Sequence, residues 1–218
     1  MFIRQASETI RKTVPDFPLL EEPWELFEAL KEEKFFQSVK LPKRTNGIVS
    51  PSETNTIVYA SDSVEIQPYA LFSGLVILED GVKIGPYSLL RGPIFVGKNS
   101  IIGPHCEIIR SIVLENSIVA HKNTLGETII GNNCNYAGLC TSCNYPVGRD
   151  YVKVRYNQKE HKYNGKFGAT IENNCNLGCL TITMPGCHIK QGTDITGQCI
   201  VHGTGKVKPF SHFPAKVE

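Results

Sequence analysis

No stretch of the 218 residues approaches the ~20 consecutive apolar residues that a membrane-spanning helix needs. An excess of one charge is also missing. The 23 Lys and Arg face 21 Asp and Glu, for a net charge of +2, which gives no footprint for nucleic acid or an anionic membrane surface. The opening MFIRQASETIRK has no apolar core of the kind a secretory signal carries. A cytoplasmic chain is expected, with neither nucleic acid nor membrane as partner. Cys140 and Cys143 form a C-x-x-C that no second pair accompanies. A structural zinc commonly takes four ligands from two such pairs, so no metal is expected.

What the chain does contain is a repeat. Ile66, Phe72, Leu78, Ile84, Leu90, Val96, Ile102 and Ile108 follow one another at intervals of six. The frame slips and resumes at Val113, Val119 and Leu125, shortens by one at Ile130, and continues at Tyr136. After an interruption it returns at Ile171, Leu177, Thr183, Ile189, Ile195 and Val201. Period six matches neither an amphipathic helix nor simple strand alternation. It matches a short strand and a sharp turn, three times per coil of a prism. The aliphatic residue then points inward and stacks on its counterpart one coil away, at the ~4.8 Å strand spacing.

The residue four positions after each aliphatic one also points inward, at a tighter corner. Ala70, Val76, Val82, Ser88, Ile94, Ser100 and Ser117 occupy such places, as do Cys106, Cys134, Cys140, Cys175, Cys187 and Cys199. Reduced cysteine behaves as a small hydrophobe, so these six are expected to be core residues rather than disulfides. Residues 1–45 read differently, as a helical segment with helices over 2–13 and 22–37. Pro23 favours a first helical turn. Their apolar face should pack on the end of the prism or on a neighbouring subunit. LPKRTNG at 41–47 reads as a linker. The prism should span 46–206, with 207–218 as a tail. Residues 146–165 break the frame and are basic and tyrosine-rich, as an irregular functional loop would be.

Three clusters depart from the plain repeat: Arg91, HKNTLG at 121–126, and CNY at 143–145. HKNTLGETIIGNNCNYAGLCTSCNY (121–145) resembles, without a gap, the H-x-x-Y-L-G-D-x-x-I-G-x-x-x-N-x-G-x-G-x-x-T-x-N-Y of one family. That family comprises the bifunctional glucosamine-1-phosphate acetyltransferase/N-acetylglucosamine-1-phosphate uridyltransferases, and the likeness lies in their acetyltransferase domain. GPYSLLRGP (85–93) is similar to its GPFARLRPG, and NGKFGATIENNCNLGC (164–179) follows after one insertion. The resemblance covers about residues 60–205. It implies a mainly β fold, a left-handed parallel β-helix of hexapeptide repeats with a short helical segment in front. It also implies a homotrimer with acetyl-coenzyme A as co-substrate.

The resemblance further implies roles. His121 is the general base that takes the amine proton, and Asn144 orients the amine. Asn135 and Tyr145 position the sugar, while Arg91 and Lys166 hold its phosphate. Cys179 and Gly197 lie at the acetyl group and the coenzyme A arm. Some positions depart from the family. Thr124 stands where the family has a substrate-binding tyrosine, Ile109 where it has a phosphate-binding lysine, and Cys179 where it has a serine. Arg110, or Arg149, Lys153, Arg155, Lys159 and Lys162 of the insertion, would then close over the phosphate. No G-x-G-T-R-M-like phosphate loop is found, so uridylyl transfer is not expected.

The expected activity is acetylation of an amino sugar 1-phosphate, glucosamine 1-phosphate first. Two alternatives stand beside it: an acyltransferase for a nucleotide-linked amino sugar, and a non-catalytic trimeric binding module. Zinc carbonic anhydrases of this fold need three histidines, two of them about five apart. Histidines 105, 121, 161, 188, 202 and 212 supply no such pair.

Overall fold

The computed structural model describes residues 1–44 and 55–209. The six-residue frame becomes a three-walled parallel β-solenoid. Wall 1 runs from Ile57–Ala60 to Cys187–Ile189, wall 2 from Glu65–Ile66 to Asp194–Ile195, and wall 3 from Leu71–Ser73 to Cys199–His202. Each wall has seven parallel strands. Wall 1 adds the antiparallel Lys43–Arg44 at one edge, and wall 3 adds the antiparallel Lys206–Pro209 at the other. Both additions fall where sequence reading expects a linker and a tail. They pair the end strands, whose backbone groups would otherwise face water unpaired. Residues 45–54 and 210–218 of the expected spans lie outside the described residues.

The inward column is as its period predicts from Phe72 onward, and Ile66 at its start is half-buried. Phe72, Leu78, Ile84, Leu90, Val96, Ile102 and Ile108 are each fully buried, and the column continues buried through Val201. Burying each such aliphatic side chain contributes about 1.5–3 kcal/mol relative to exposure. Thr183, the polar member of its run, donates to Ser142 Oγ at 2.9 Å, and Ser142 also meets the Tyr136 hydroxyl at 3.0 Å. The hydroxyls thus satisfy one another inside the core. All six corner cysteines are buried and free. Burial pushes the Cys106 and Cys140 thiols up to about 11 and Cys187 to about 12.

The corners need left-handed backbone. Between walls 1 and 2 this falls on Asn99, Asn116, Asn133 and Asn174, with φ between 56° and 58°. Asparagine adopts that conformation more readily than most residues. Between walls 2 and 3 the same place holds Tyr69, Tyr87, His105, Lys122, Leu139, Leu180 and Gln198.

The helices are Phe2–Thr13 (α1), Pro23–Lys31 (α2) and Glu33–Phe36 (α3). The expected 22–37 helix is interrupted at Glu32, whose backbone is extended. Pro23 sits at the start of α2, and the Glu22 backbone N–H donates to Glu25 Oε2 at 3.1 Å. The helices do not cap the end of the solenoid. They cover the outer face of wall 1, where Ile77, Phe95, Ile112 and Ile129 form one buried cluster with Ile3, Ile10, Leu26 and Phe27. From Ile77 to Ile129 wall 1 is apolar on both sides, so this part of its outer face needs a cover. Wall 2 turns Glu65, Lys83, Asn135, Asn176 and Asp194 outward to solvent. Buried Glu79 fixes α1 by accepting from the Thr13 hydroxyl and from the Lys98 backbone N–H at 3.1 Å.

The 146–165 insertion is not irregular. Val152–Tyr156 and Lys159–Tyr163 form an antiparallel hairpin. Val152, Val154 and Tyr156 are buried in the cluster on wall 1. The hairpin is fastened to α2: Trp24 stacks on His161 with ring centroids 4.3 Å apart, Lys159 pairs with Glu22, and Tyr163 donates to Glu28.

Candidate functional site

Three residues sought for catalysis and for coenzyme binding, His121, Cys179 and Gly197, lie along the corner between walls 2 and 3. His121, Gly138, Cys179 and Gly197 occupy equivalent places in successive coils. The backbone links run from Leu139 N–H to His121 O (3.1 Å), Leu180 N–H to Gly138 O (3.2 Å) and Gln198 N–H to Cys179 O (2.8 Å). His121 is exposed, and its imidazole lies over Gly138. A Cβ on Gly138 would stand 2.6 Å from Nε2, so the glycine leaves the space that the ring occupies. Gly197 has φ +102°, and a Cβ there would meet the Cys179 carbonyl at 2.4 Å. Cys179 is exposed.

Wall 3 supplies the next group. Its register sets Arg91 beside Ile109 and Glu107 beside Thr124, all on the outer face. Arg91 forms an ion pair with Glu107 at 2.5 Å. At the far edge of this wall, the corner leading back to wall 1, a carboxylate is shared. Arg110 donates to Glu127 Oε1 through Nε (2.6 Å) and through its terminal nitrogen, and Asn144 Nδ2 donates to Oε2 of the same group. Glu127 is 4% exposed. Beside it a cavity of about 140 Å³ is lined by Lys166, Tyr163, Pro93, Leu30 and Lys31.

The structure therefore gathers His121, Cys179 and Gly197 at one corner, Arg91 and Thr124 on the adjoining wall, and Asn144 and Lys166 at that wall's far edge. Tyr145, just past Asn144, is 53% exposed. Asn135 is separate from these, because it faces outward from wall 2. Most of the cations expected to close over a phosphate are engaged elsewhere, while Arg149 stays exposed. Arg110 is held by Glu127, Lys153 and Arg155 pair with Glu160, Lys159 pairs with Glu22, and Lys162 lies over the Tyr151 ring. Lys153, Arg155, Lys159 and Lys162 are pinned because the hairpin carries its own counter-ion and docks on α2. Among the described residues no group of three or more His, Cys, Asp or Glu could hold a metal, and no helix is long and apolar enough to cross a membrane. Glu107, Glu127 and Gly138 were not singled out by sequence reading. Their partners lie one coil away, at spacings of 16 to 17 residues that no local motif displays.

Residues 72–158 match a family model described as the GMPPB C-terminal domain. That match includes Arg91, His121, Thr124, Asn135, Asn144 and Tyr145 and ends before Lys166, Cys179 and Gly197. Among solved structures, PerB from Caulobacter crescentus, in complex with CoA and GDP-perosamine, is 13% identical. It covers 69% of this chain and 56% of that one, with a TM-score of 0.35. The acetyltransferase domain of PglB from Neisseria gonorrhoeae, in complex with acetyl coenzyme A, is 15% identical, covers 70% and 57%, and has a TM-score of 0.24. Among curated proteins, the bifunctional protein GlmU of Methanococcus aeolicus is 33% identical over 96 residues, 44% of this chain and 23% of that protein. GlmU of Methanococcus maripaludis is 34% identical over 95 residues, with the same coverage. The chain spans about a quarter of the length of these relatives, and over that stretch it is similar to the GlmU proteins.

Proposed function

We propose that this chain is an acetyl-coenzyme A-dependent N-acetyltransferase whose acceptor is an amino sugar, with glucosamine 1-phosphate as the first candidate. The observation that carries the reading is the corner column of His121, Gly138, Cys179 and Gly197. At ~4.8 Å per coil, Cys179 lies about 10 Å and Gly197 about 14 Å along the corner from His121. An extended pantetheine arm lying along this edge brings its thioester toward the imidazole. His121 takes a proton from the acceptor amine. The amine nitrogen forms its bond to the thioester carbonyl carbon, the carbon–sulfur bond breaks, and the coenzyme leaves as a thiol after taking up a proton. Asn144 orients the amine, and Arg91 with Lys166 binds the phosphate of the acceptor. Acceptor-dependent release of coenzyme A thiol tests the assignment. Release that needs the amino sugar supports it, and none with any amino sugar points to the binding-module reading.

The positions of the site residues support a trimeric assembly. Asn135 looks out from wall 2, whereas Arg91 and Thr124 look out from wall 3. Wall 1 is already covered. A second copy presenting wall 2 to wall 3 of the first brings both sets to one site, and three copies close the arrangement. Light scattering should give a mass near three times 24.2 kDa; a mass near that of one chain contradicts the assembly.

A further inference from the structure

We infer that Glu127 is a positioning residue that decides which end of the Asn144 amide faces the acceptor; this rests on the role proposed for Asn144. The two ends of an asparagine amide have almost the same shape but opposite hydrogen-bonding character, so something must set the orientation. An ionised carboxylate only accepts. Glu127 Oε2 therefore takes the Nδ2 end and turns Oδ1 outward, where among the described residues it has no hydrogen-bonding partner. That oxygen is the end suited to accept an N–H from an amine and aim its lone pair at a carbonyl carbon.

Three features hold this arrangement. Arg110 binds the other oxygen, Oε1, through two donors, so the carboxylate cannot swing away without leaving a guanidinium unpaired. Gly126, just before Glu127, leaves room for the amide: a Cβ there would stand 2.2 Å from Asn144 Nδ2. Glu127 and Arg110 both have φ +41°, left-handed backbone that turns each side chain into the same corner. The network buries a carboxylate at the edge of the candidate site. It accounts for Arg110 without assigning it to the phosphate.

Glu127→Gln is the informative change, because it keeps size and removes one acceptor. Arg110 will claim the remaining oxygen, so the new NH₂ group faces Asn144 and forces its amide to turn over. The kcat of acetyl transfer should fall about tenfold to a hundredfold, with the KM for acetyl-coenzyme A unchanged. A double-mutant cycle with Asn144→Ala separates positioning from a purely structural role. If Glu127 acts through Asn144, adding Glu127→Gln to Asn144→Ala lowers kcat no further. Multiplying effects, or full activity of either single variant, overturns the inference while leaving the acetyltransferase reading intact. A wild-type protein that transfers no acetyl overturns both. Should the Gln variant fail to assemble, Glu127→Asp keeps the charge but withdraws it by one methylene. It should show the same non-additivity with Asn144→Ala, and additive losses overturn the inference.

Discussion

Replacing His121 with alanine should slow acetyl transfer by about 10²–10⁴-fold, the usual worth of a general base. The ring stands at an exposed corner over Gly138, and among the described residues no ion pair or side-chain hydrogen bond engages it. It is therefore free to receive a proton, and removing it deprives the amine of a base without opening the core. The variant should keep its melting temperature and oligomeric mass, because the nearest inward side chains, Val119 and Asn123, are untouched and buried. Initial rates of thiol release at saturating acetyl-coenzyme A, beside a melting curve, decide the matter. Wild-type turnover would make His121 an ordinary turn residue.

Arg91→Ala should abolish a preference for the phosphorylated acceptor. Arg91 gives one terminal nitrogen to Glu107, and a guanidinium keeps further donors for a ligand. A charge-assisted hydrogen bond to an anion is worth about 1.5–3 kcal/mol, so kcat/KM for glucosamine 1-phosphate should fall roughly tenfold to a hundredfold. Free glucosamine should be little affected. The effect should stand out because Ile109 supplies no charge, Arg110 is bound by Glu127, and the hairpin cations Lys153, Arg155 and Lys159 are paired. Lys166, which lines the cavity beside Glu127, and exposed Arg149 are the cations left beside it. Equal kcat/KM on both sugars in the wild type would remove the phosphate from the assignment. Activity confined to a nucleotide-linked amino sugar would move the chain to that acceptor.

The solenoid was legible because its inward positions recur at a period no other secondary structure uses. The corner cysteines followed from that same frame. The left hand was implied by resemblance, since a period carries no chirality. The position of the helices was not read, although a signal existed. Ile77, Phe95, Ile112 and Ile129 are apolar on the outward side of wall 1, where Lys83 and Asn135 are polar on wall 2. The hairpin was also readable in part, because VKVRY alternates with period two. Its basic residues mask the apolar alternation of Val152, Val154 and Tyr156. At the site, His121 and Asn144 stood out within a local motif. The carboxylates that neutralise Arg91 and Arg110 did not, because such pairs form between coils and depend on register.

The most direct test of the account is the identity of the product. The purified chain is incubated with acetyl-coenzyme A and glucosamine 1-phosphate, and the sugar is recovered and its mass and amine reactivity are measured. The account predicts a sugar phosphate heavier by one acetyl group and without a free amine, formed by the wild type and far more slowly by His121→Ala. An unmodified amino sugar, from it and from the nucleotide-linked and unphosphorylated acceptors alike, would contradict it.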